Sequence, residues 1–83
     1  MDFLPVFLNI RNKTCLVIGG GEVAARKVSA LLRAGAHVTV VATELIETLK
    51  DAQARAEIQY IAEPFHPRLL DNAALVIAAT DDF

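Results

Sequence analysis

Residues 16–24, Leu-Val-Ile-Gly-Gly-Gly-Glu-Val-Ala, join a short apolar run to a segment with helical spacing. They contain the pattern G-x-G-x-x-A, formed by Gly19, Gly21 and Ala24. The first glycine permits a sharp turn off a strand, the second lets a pyrophosphate approach the backbone, and the alanine lets the helix pack closely on the strand. Because free N–H groups at a helix N-terminus attract phosphate, this strand–glycine–helix context predicts a dinucleotide site rather than a plain glycine-rich turn.

Strand and helix patterns alternate along the rest of the chain. Gly35 is placed to end the first helix, and Thr43 is placed to act as the N-cap of the second. The predicted elements are strand 15–18, helix 22–34, strand 37–41, helix 43–56, strand 57–62, a helical turn at 68–72 and strand 75–79. Right-handed crossovers then predict an α/β, Rossmann-type parallel sheet of order 3-2-1-4, which is the first half plus one strand of a dinucleotide-binding domain.

The N-terminal residues do not fit this alternation. Residues 2–10 are apolar but include Pro5, which argues against a helix interior or a central strand. We therefore predict an extended arm that lies on the domain.

Composition restricts the class of protein. The 83 residues suffice for one small domain, which we predict to span residues 1–83. At 54% hydrophobic residues the chain has more apolar surface than a small domain buries, so some of it is expected to meet further chain or a partner subunit. The net charge of -2 gives no electrostatic footprint for nucleic acid.

The same composition bears on the cellular location. Cys15 is the single cysteine, so no disulfide can form within the chain, and a small buried side chain is its expected role. No apolar run approaches the ~20 residues that a membrane helix needs. The first residues lack the basic segment of a signal peptide. We therefore expect a cytoplasmic protein without a membrane contact.

Four segments together resemble the N-terminal domain of sirohaem synthase, the precorrin-2 dehydrogenase/sirohydrochlorin ferrochelatase module. They are residues 1–7, 17–27, 31–36 and 77–82, and the resemblance extends over essentially the whole chain. The resemblance implies NAD as cofactor, oxidation of the tetrapyrrole precorrin-2 to sirohydrochlorin, insertion of Fe²⁺ to give sirohaem, and a homodimer in the complete protein. The alternative is a regulatory NAD-binding module without turnover.

Members of that family continue well beyond this length, and many carry a uroporphyrinogen methyltransferase. The aspartate implicated in their catalysis lies in the continuation, beyond residue 83. The resemblance therefore assigns no catalytic residue in this chain, and it implies a truncated member that is inactive by itself.

Four residues match nucleotide contacts of the family. Glu22 and Val23 match the nucleotide-binding loop, where their backbone N–H groups are expected to face the pyrophosphate. The acid that ordinarily follows the second strand is replaced by Ala42, and Thr43 and Glu44 match the family's adenosine-ribose contacts. The alternative that Thr43 only caps the second helix stays open. No cation is present here for a 2′-phosphate, so NAD⁺ is expected to bind in preference to NADP⁺.

Two charged pairs have an ordinary and a functional interpretation. Arg26 and Lys27 suit a solvated helix face, although the carboxylates of a tetrapyrrole would attract them. Asp81 and Asp82, predicted to converge with the glycines at one crevice, suit a turn, although carboxylates there could accept a proton or meet Fe²⁺. We favour the ordinary interpretation for both pairs.

No resident metal is predicted. His37 and His66 each lack Cys, His or carboxylate neighbours at the spacing of metal ligands. His66 lies between Phe65 and Pro67 and is expected to be solvated.

Overall fold

A computed structural model of the chain describes residues 7–79. Within this range the chain forms four strands, two α-helices and one 3-10 helix. Their bounds are β1 Thr14–Ile18, α1 Glu22–Arg33, β2 His37–Val41, α2 Glu47–Ala54, β3 Gln59–Ile61, the 3-10 helix Pro67–Leu70 and β4 Leu75–Ala78. The longer α-helix, α1, has 12 residues, and neither helix reaches the length and apolarity of a bilayer-crossing segment.

The four strands form one parallel sheet in the order β3-β2-β1-β4. This confirms the predicted Rossmann-type α/β fold. Val17 of β1 pairs with Val40 on one side and with Ile77 on the other, so β1 is a central strand. The glycines that follow β1 therefore lie in the middle of the sheet edge at which the strands end, called here the carboxyl edge.

One face of the sheet and the two helices enclose the core. Alternate residues of the central strands point to this face, as the two-residue period of a strand requires. These residues are buried together with the inner positions of α1 and α2; the set comprises Cys15, Val17, Val38, Val40, Ala24, Val28, Leu31, Leu49 and Ala52. The helices are thereby fixed against the sheet, and their ends are fixed relative to its carboxyl edge.

Cys15 lies inside this core with no exposed surface, and its burial raises the pKa of the thiol. Because the thiolate is the reactive form, we expect the native protein to resist alkylation by iodoacetamide at a pH where free cysteine reacts. The protein unfolded in denaturant should be labelled completely, and mass spectrometry measures both states. Native labelling as fast as that of free cysteine would contradict the burial of β1.

The first helix agrees with its prediction. The spacing i, i+4, i+7 and i+8 predicts one inner face for α1. Three of its four residues, Ala24, Val28 and Leu31, are buried, and Leu32 is half-buried. The helix ends at Arg33, and Gly35 follows in a left-handed conformation with a φ of 84°. The N–H of Gly35 donates to the carbonyl of Leu32 over 3.0 Å, which satisfies one of the last helical acceptors.

The second helix differs from its prediction at both ends. It begins at Glu47 with Ile46 as its N-cap, so the prediction that Thr43 caps it is wrong. The Ile46 N–H donates to the carbonyl of Gly20 over 2.9 Å, which holds residues 43–46 across the glycines instead of in a helical turn. This tertiary contact outweighs the local capping preference of threonine. At the other end, Ala56 has a φ of 60° and is outside the helix.

The remaining differences are smaller. β3 is shorter than predicted, and the helical turn lies at Pro67–Leu70 rather than at 68–72. The prediction that the N-terminal arm lies on the domain is wrong for Phe7 and Leu8, which are exposed, whereas Ile10 packs against the core. Residues 2–6 of the predicted arm lie outside the described residues.

Candidate dinucleotide site

The carboxyl edge of the sheet contains a cleft of about 470 Å³. Three segments form it: the glycine loop (Gly19–Gly21) after β1, the post-β2 segment (residues 42–46) and the post-β3 segment (residues 63–65). All three follow parallel neighbouring strands, which is why they meet at one edge. We call this cavity the edge cleft.

The glycine loop turns sharply away from β1. Gly19 has a φ of 129°, a backbone conformation that residues other than glycine rarely adopt. Its N–H donates to the carbonyl of Val41 at the end of β2 over 2.9 Å. The turn predicted for Gly19 is therefore present, and it is tied to the neighbouring strand.

Gly21 stands at the N-terminus of α1, which opens onto the edge cleft. It is the N-cap residue, and no side chain caps the helix within residues 7–79. Its carbonyl accepts the N–H of Ala25 over 2.9 Å, so the intervening N–H groups of Glu22 and Val23 lie in the first turn at the helix N-terminus. A Cβ at Gly21 would meet no atom within 4 Å. The space beside the uncapped N–H groups is thus open to a phosphate.

Gly20, between the two predicted glycines, is a site residue that the pattern left unspecified. A Cβ there would overlap the carbonyl oxygen of Glu44 and lie 3.0 Å from the Cβ of Ala42. The post-β2 segment therefore rests directly on Gly20, and the hydrogen bond from Ile46 holds it there. The run of three successive glycines was the signal in the sequence, since G-x-G-x-x-A requires only two.

Thr43 and Glu44 are exposed and line the edge cleft, so the structure brings them to the glycine loop. They also line an adjoining cavity of about 630 Å³, together with Lys50. The Nζ of Lys50 lies 3.7 Å from an Oε of Glu47, and both side chains are exposed. Glu44 is the charged side chain that the two cavities share.

The post-β3 segment follows the predicted strand 57–62, and no role in the site was predicted for it. Glu63 is half-buried, Phe65 is 38% exposed, and both line the edge cleft with Pro64. The strand order contained the signal, because β3 neighbours β2 and ends at the same edge. The contribution of the post-β3 segment to the cleft could be predicted from the strand order. The residue pattern of the segment alone does not indicate that contribution.

Other predicted residues lie away from this cleft. Arg26 and Lys27 are exposed on α1 and do not line the cleft within residues 7–79, in agreement with a solvated face. His37 is at the start of β2, at the opposite end of that strand from the cleft. His66 is exposed, and its Nδ1 accepts the N–H of Arg68 over 3.1 Å, which caps the 3-10 helix.

The end of β4 is described as far as Ala79. The N–H of Ala79 donates to the carbonyl of Ile18 over 2.8 Å, and the Ala79 side chain is buried. The predicted convergence of Asp81 and Asp82 with the glycines at one crevice lies outside the described residues. Within residues 7–79, no three His, Cys, Asp or Glu side chains are grouped so as to hold a metal ion.

Comparisons with known proteins agree with this geometry. A family model described as "Putative NAD(P)-binding" matches residues 6–83. Sirohaem synthase of Nitrosospira multiformis is 58% identical across the whole chain, and that of Methylobacillus flagellatus is 55% identical across 99% of it. This chain spans 18% of the length of each. The resemblance to sirohaem synthase is thereby confirmed.

A solved structure gives the same result for the fold. The chain is similar to SirC, a precorrin-2 dehydrogenase, with a TM-score of 0.88 and 28% identity over 96% of this chain and 40% of that one. The predicted nicotinamide dinucleotide cofactor agrees with the description of the matching family. With a family model that matches all but the first five residues and a glycine loop that opens onto a cleft at the sheet edge, this chain belongs to the NAD(P)-binding family.

Proposed function

We propose that the edge cleft binds NAD⁺. The backbone N–H groups of Glu22 and Val23, beside Gly19 and Gly21, would hold the pyrophosphate, and Thr43 and Glu44 would hold the adenosine ribose. The observation that carries this proposal is the uncapped N-terminus of α1 at Gly21, with open space where a side chain would stand. The structure fits the group because the positive end of the helix dipole faces that space.

We further propose that residues 1–83 are part of one domain that oxidises precorrin-2 to sirohydrochlorin in sirohaem biosynthesis. The sirohaem synthases and the precorrin-2 dehydrogenase to which the chain is similar support this substrate. Bound NAD⁺ supplies a hydride acceptor. The part of the chain described here binds and orients the dinucleotide, and we assign it no proton acceptor.

The proposal also includes a metal substrate, an oligomeric state and a cellular location. Fe²⁺ would be a substrate inserted into sirohydrochlorin rather than a resident metal, as the name sirohaem synthase of the relatives suggests. The protein would be a homodimer, as the similarity to sirohaem synthase implies. A cytoplasmic location agrees with a single thiol that is buried.

The proposal is tested by an anaerobic assay, with precorrin-2 and NAD⁺, of the complete protein that contains residues 1–83. NADH absorbance should rise only when both are present, and sirohydrochlorin should form in equal amount. Binding of NAD⁺ without turnover would contradict the dehydrogenase and favour a regulatory NAD-binding module. Absence of NAD⁺ binding would contradict the assigned site itself.

We expect NAD⁺ to bind about tenfold more tightly than NADP⁺, because the Glu44 carboxylate at the cleft would repel a 2′-phosphate. Calorimetric titration of the full chain with each dinucleotide measures the ratio of the Kd for NADP⁺ to the Kd for NAD⁺. The Glu44→Gln variant removes the negative charge at nearly constant size, so it should lower this ratio toward one. Tighter binding of NADP⁺ by the unaltered protein would overturn this prediction.

A further inference from the structure

The proposed NAD⁺ site leaves one part of the edge cleft without a role. The post-β3 segment, with Glu63, Pro64 and Phe65, lines the cleft beside the post-β2 segment, because β3 pairs with β2. Phe65 keeps 38% of its surface exposed, and it is the aromatic residue among those of the described chain that line the cleft. An aromatic ring left open to a cleft in this way offers a flat apolar face to a ligand.

The segment is held in place from both sides. On its N-terminal side, the Ala42 N–H donates to the carbonyl of Ile61 over 3.2 Å, which ties the end of β3 to the end of β2. On its C-terminal side, His66 caps the 3-10 helix through its Nδ1, and Pro67 begins that helix. Phe65 therefore stands on a short connection between two anchored elements, so little ordering entropy opposes a contact with its ring.

The order of the strands determines which part of a dinucleotide would reach Phe65. Along the carboxyl edge the glycine loop follows β1, Thr43 and Glu44 follow β2, and Phe65 follows β3. With the pyrophosphate at the glycine loop and the ribose at β2, the base extends toward β3. Since this reasoning uses the proposed placement of NAD⁺, the inference rests on the proposed function.

We propose that Phe65 supplies the stacking face for the adenine of NAD⁺. Stacking of a base on an aromatic side chain contributes about 1–3 kcal/mol, which corresponds to a change in Kd of about fivefold to a hundredfold. Pro64 and the half-buried Ile46 complete the apolar surroundings of the base. Phe65 thereby orients the adenosine half of the cofactor, at the end of the cleft away from β1.

The test compares Phe65→Leu with the full unaltered chain. Leucine keeps an apolar side chain of similar volume but removes the ring. We expect the adenine H2 and H8 resonances of NAD⁺ to shift upfield on binding to the unaltered protein, and this shift to vanish in Phe65→Leu while Kd rises about tenfold. Phe7→Leu is the matched control, because Phe7 is exposed and does not line the cleft.

The outcomes separate this inference from the proposed function. An unaltered protein that binds NAD⁺ without an upfield adenine shift, or a Phe65→Leu variant that keeps the shift, overturns the role of Phe65 and leaves the NAD⁺ site standing. An unaltered protein that does not bind NAD⁺ overturns both. If Phe7→Leu also loses the upfield adenine shift, that loss reflects a change in the fold rather than in the cleft. This result would equally overturn the role of Phe65.

Discussion

Gly20→Ala is expected to destabilise the domain by about 3 kcal/mol, at the upper end of the cost of overpacking. The added Cβ would overlap the backbone oxygen of Glu44, and a backbone atom cannot rotate away as the end of a side chain can. The post-β2 segment would have to move, and its hydrogen bond from Ile46 to Gly20 would break. Thermal unfolding should show a Tm lower by about 10–20 °C.

Gly21→Ala is the matched control for this prediction. It adds the same methyl group one residue later, where no atom lies within 4 Å and φ is -101°, a conformation that alanine adopts freely. We expect its Tm to stay within a few degrees of that of the unaltered protein. Equal stability of the Gly20 and Gly21 variants would show that the post-β2 segment does not rest on Gly20.

Gly21→Val is expected to keep the fold and to lose NAD⁺ binding. The side chain would occupy the open space beside the N–H groups of Glu22 and Val23. Each hydrogen bond to a charged group is worth about 1.5–3 kcal/mol, so the loss of even one or two phosphate contacts should raise Kd about 100-fold. Calorimetric titration with NAD⁺ measures this change.

A stability measurement on the same variant distinguishes lost binding from lost folding. Replacing an N-cap glycine by valine should cost no more than about 1 kcal/mol, so the Tm without NAD⁺ should change little. The Gly21→Ala variant should bind NAD⁺ with intermediate affinity, because a methyl group fills part of the same space. Binding by Gly21→Val as tight as that of the unaltered protein would show that the pyrophosphate lies elsewhere.

Local sequence patterns were sufficient for much of the fold. The strand–glycine–helix stretch, the spacing of Ala24, Val28 and Leu31, and Gly35 at the helix end predicted β1, α1 and the start of β2 to within a residue or two. The right-handed crossover rule then predicted the sheet order. These features depend on short-range periodicity and on backbone chemistry. Residues that are close in sequence are therefore sufficient to predict them.

The start of α2 and the full composition of the cleft depended on tertiary contacts instead. Thr43 has the chemistry of an N-cap, yet the hydrogen bond from Ile46 to Gly20 holds its segment across the glycine loop. That bond joins residues 26 positions apart, and no local pattern encodes such a contact. Phe65 likewise reaches the cleft only because β3 pairs with β2. The sequence by itself determined which backbone leaves N–H groups free for a phosphate, and the packing of three strand ends decided which side chains line the rest of the cleft.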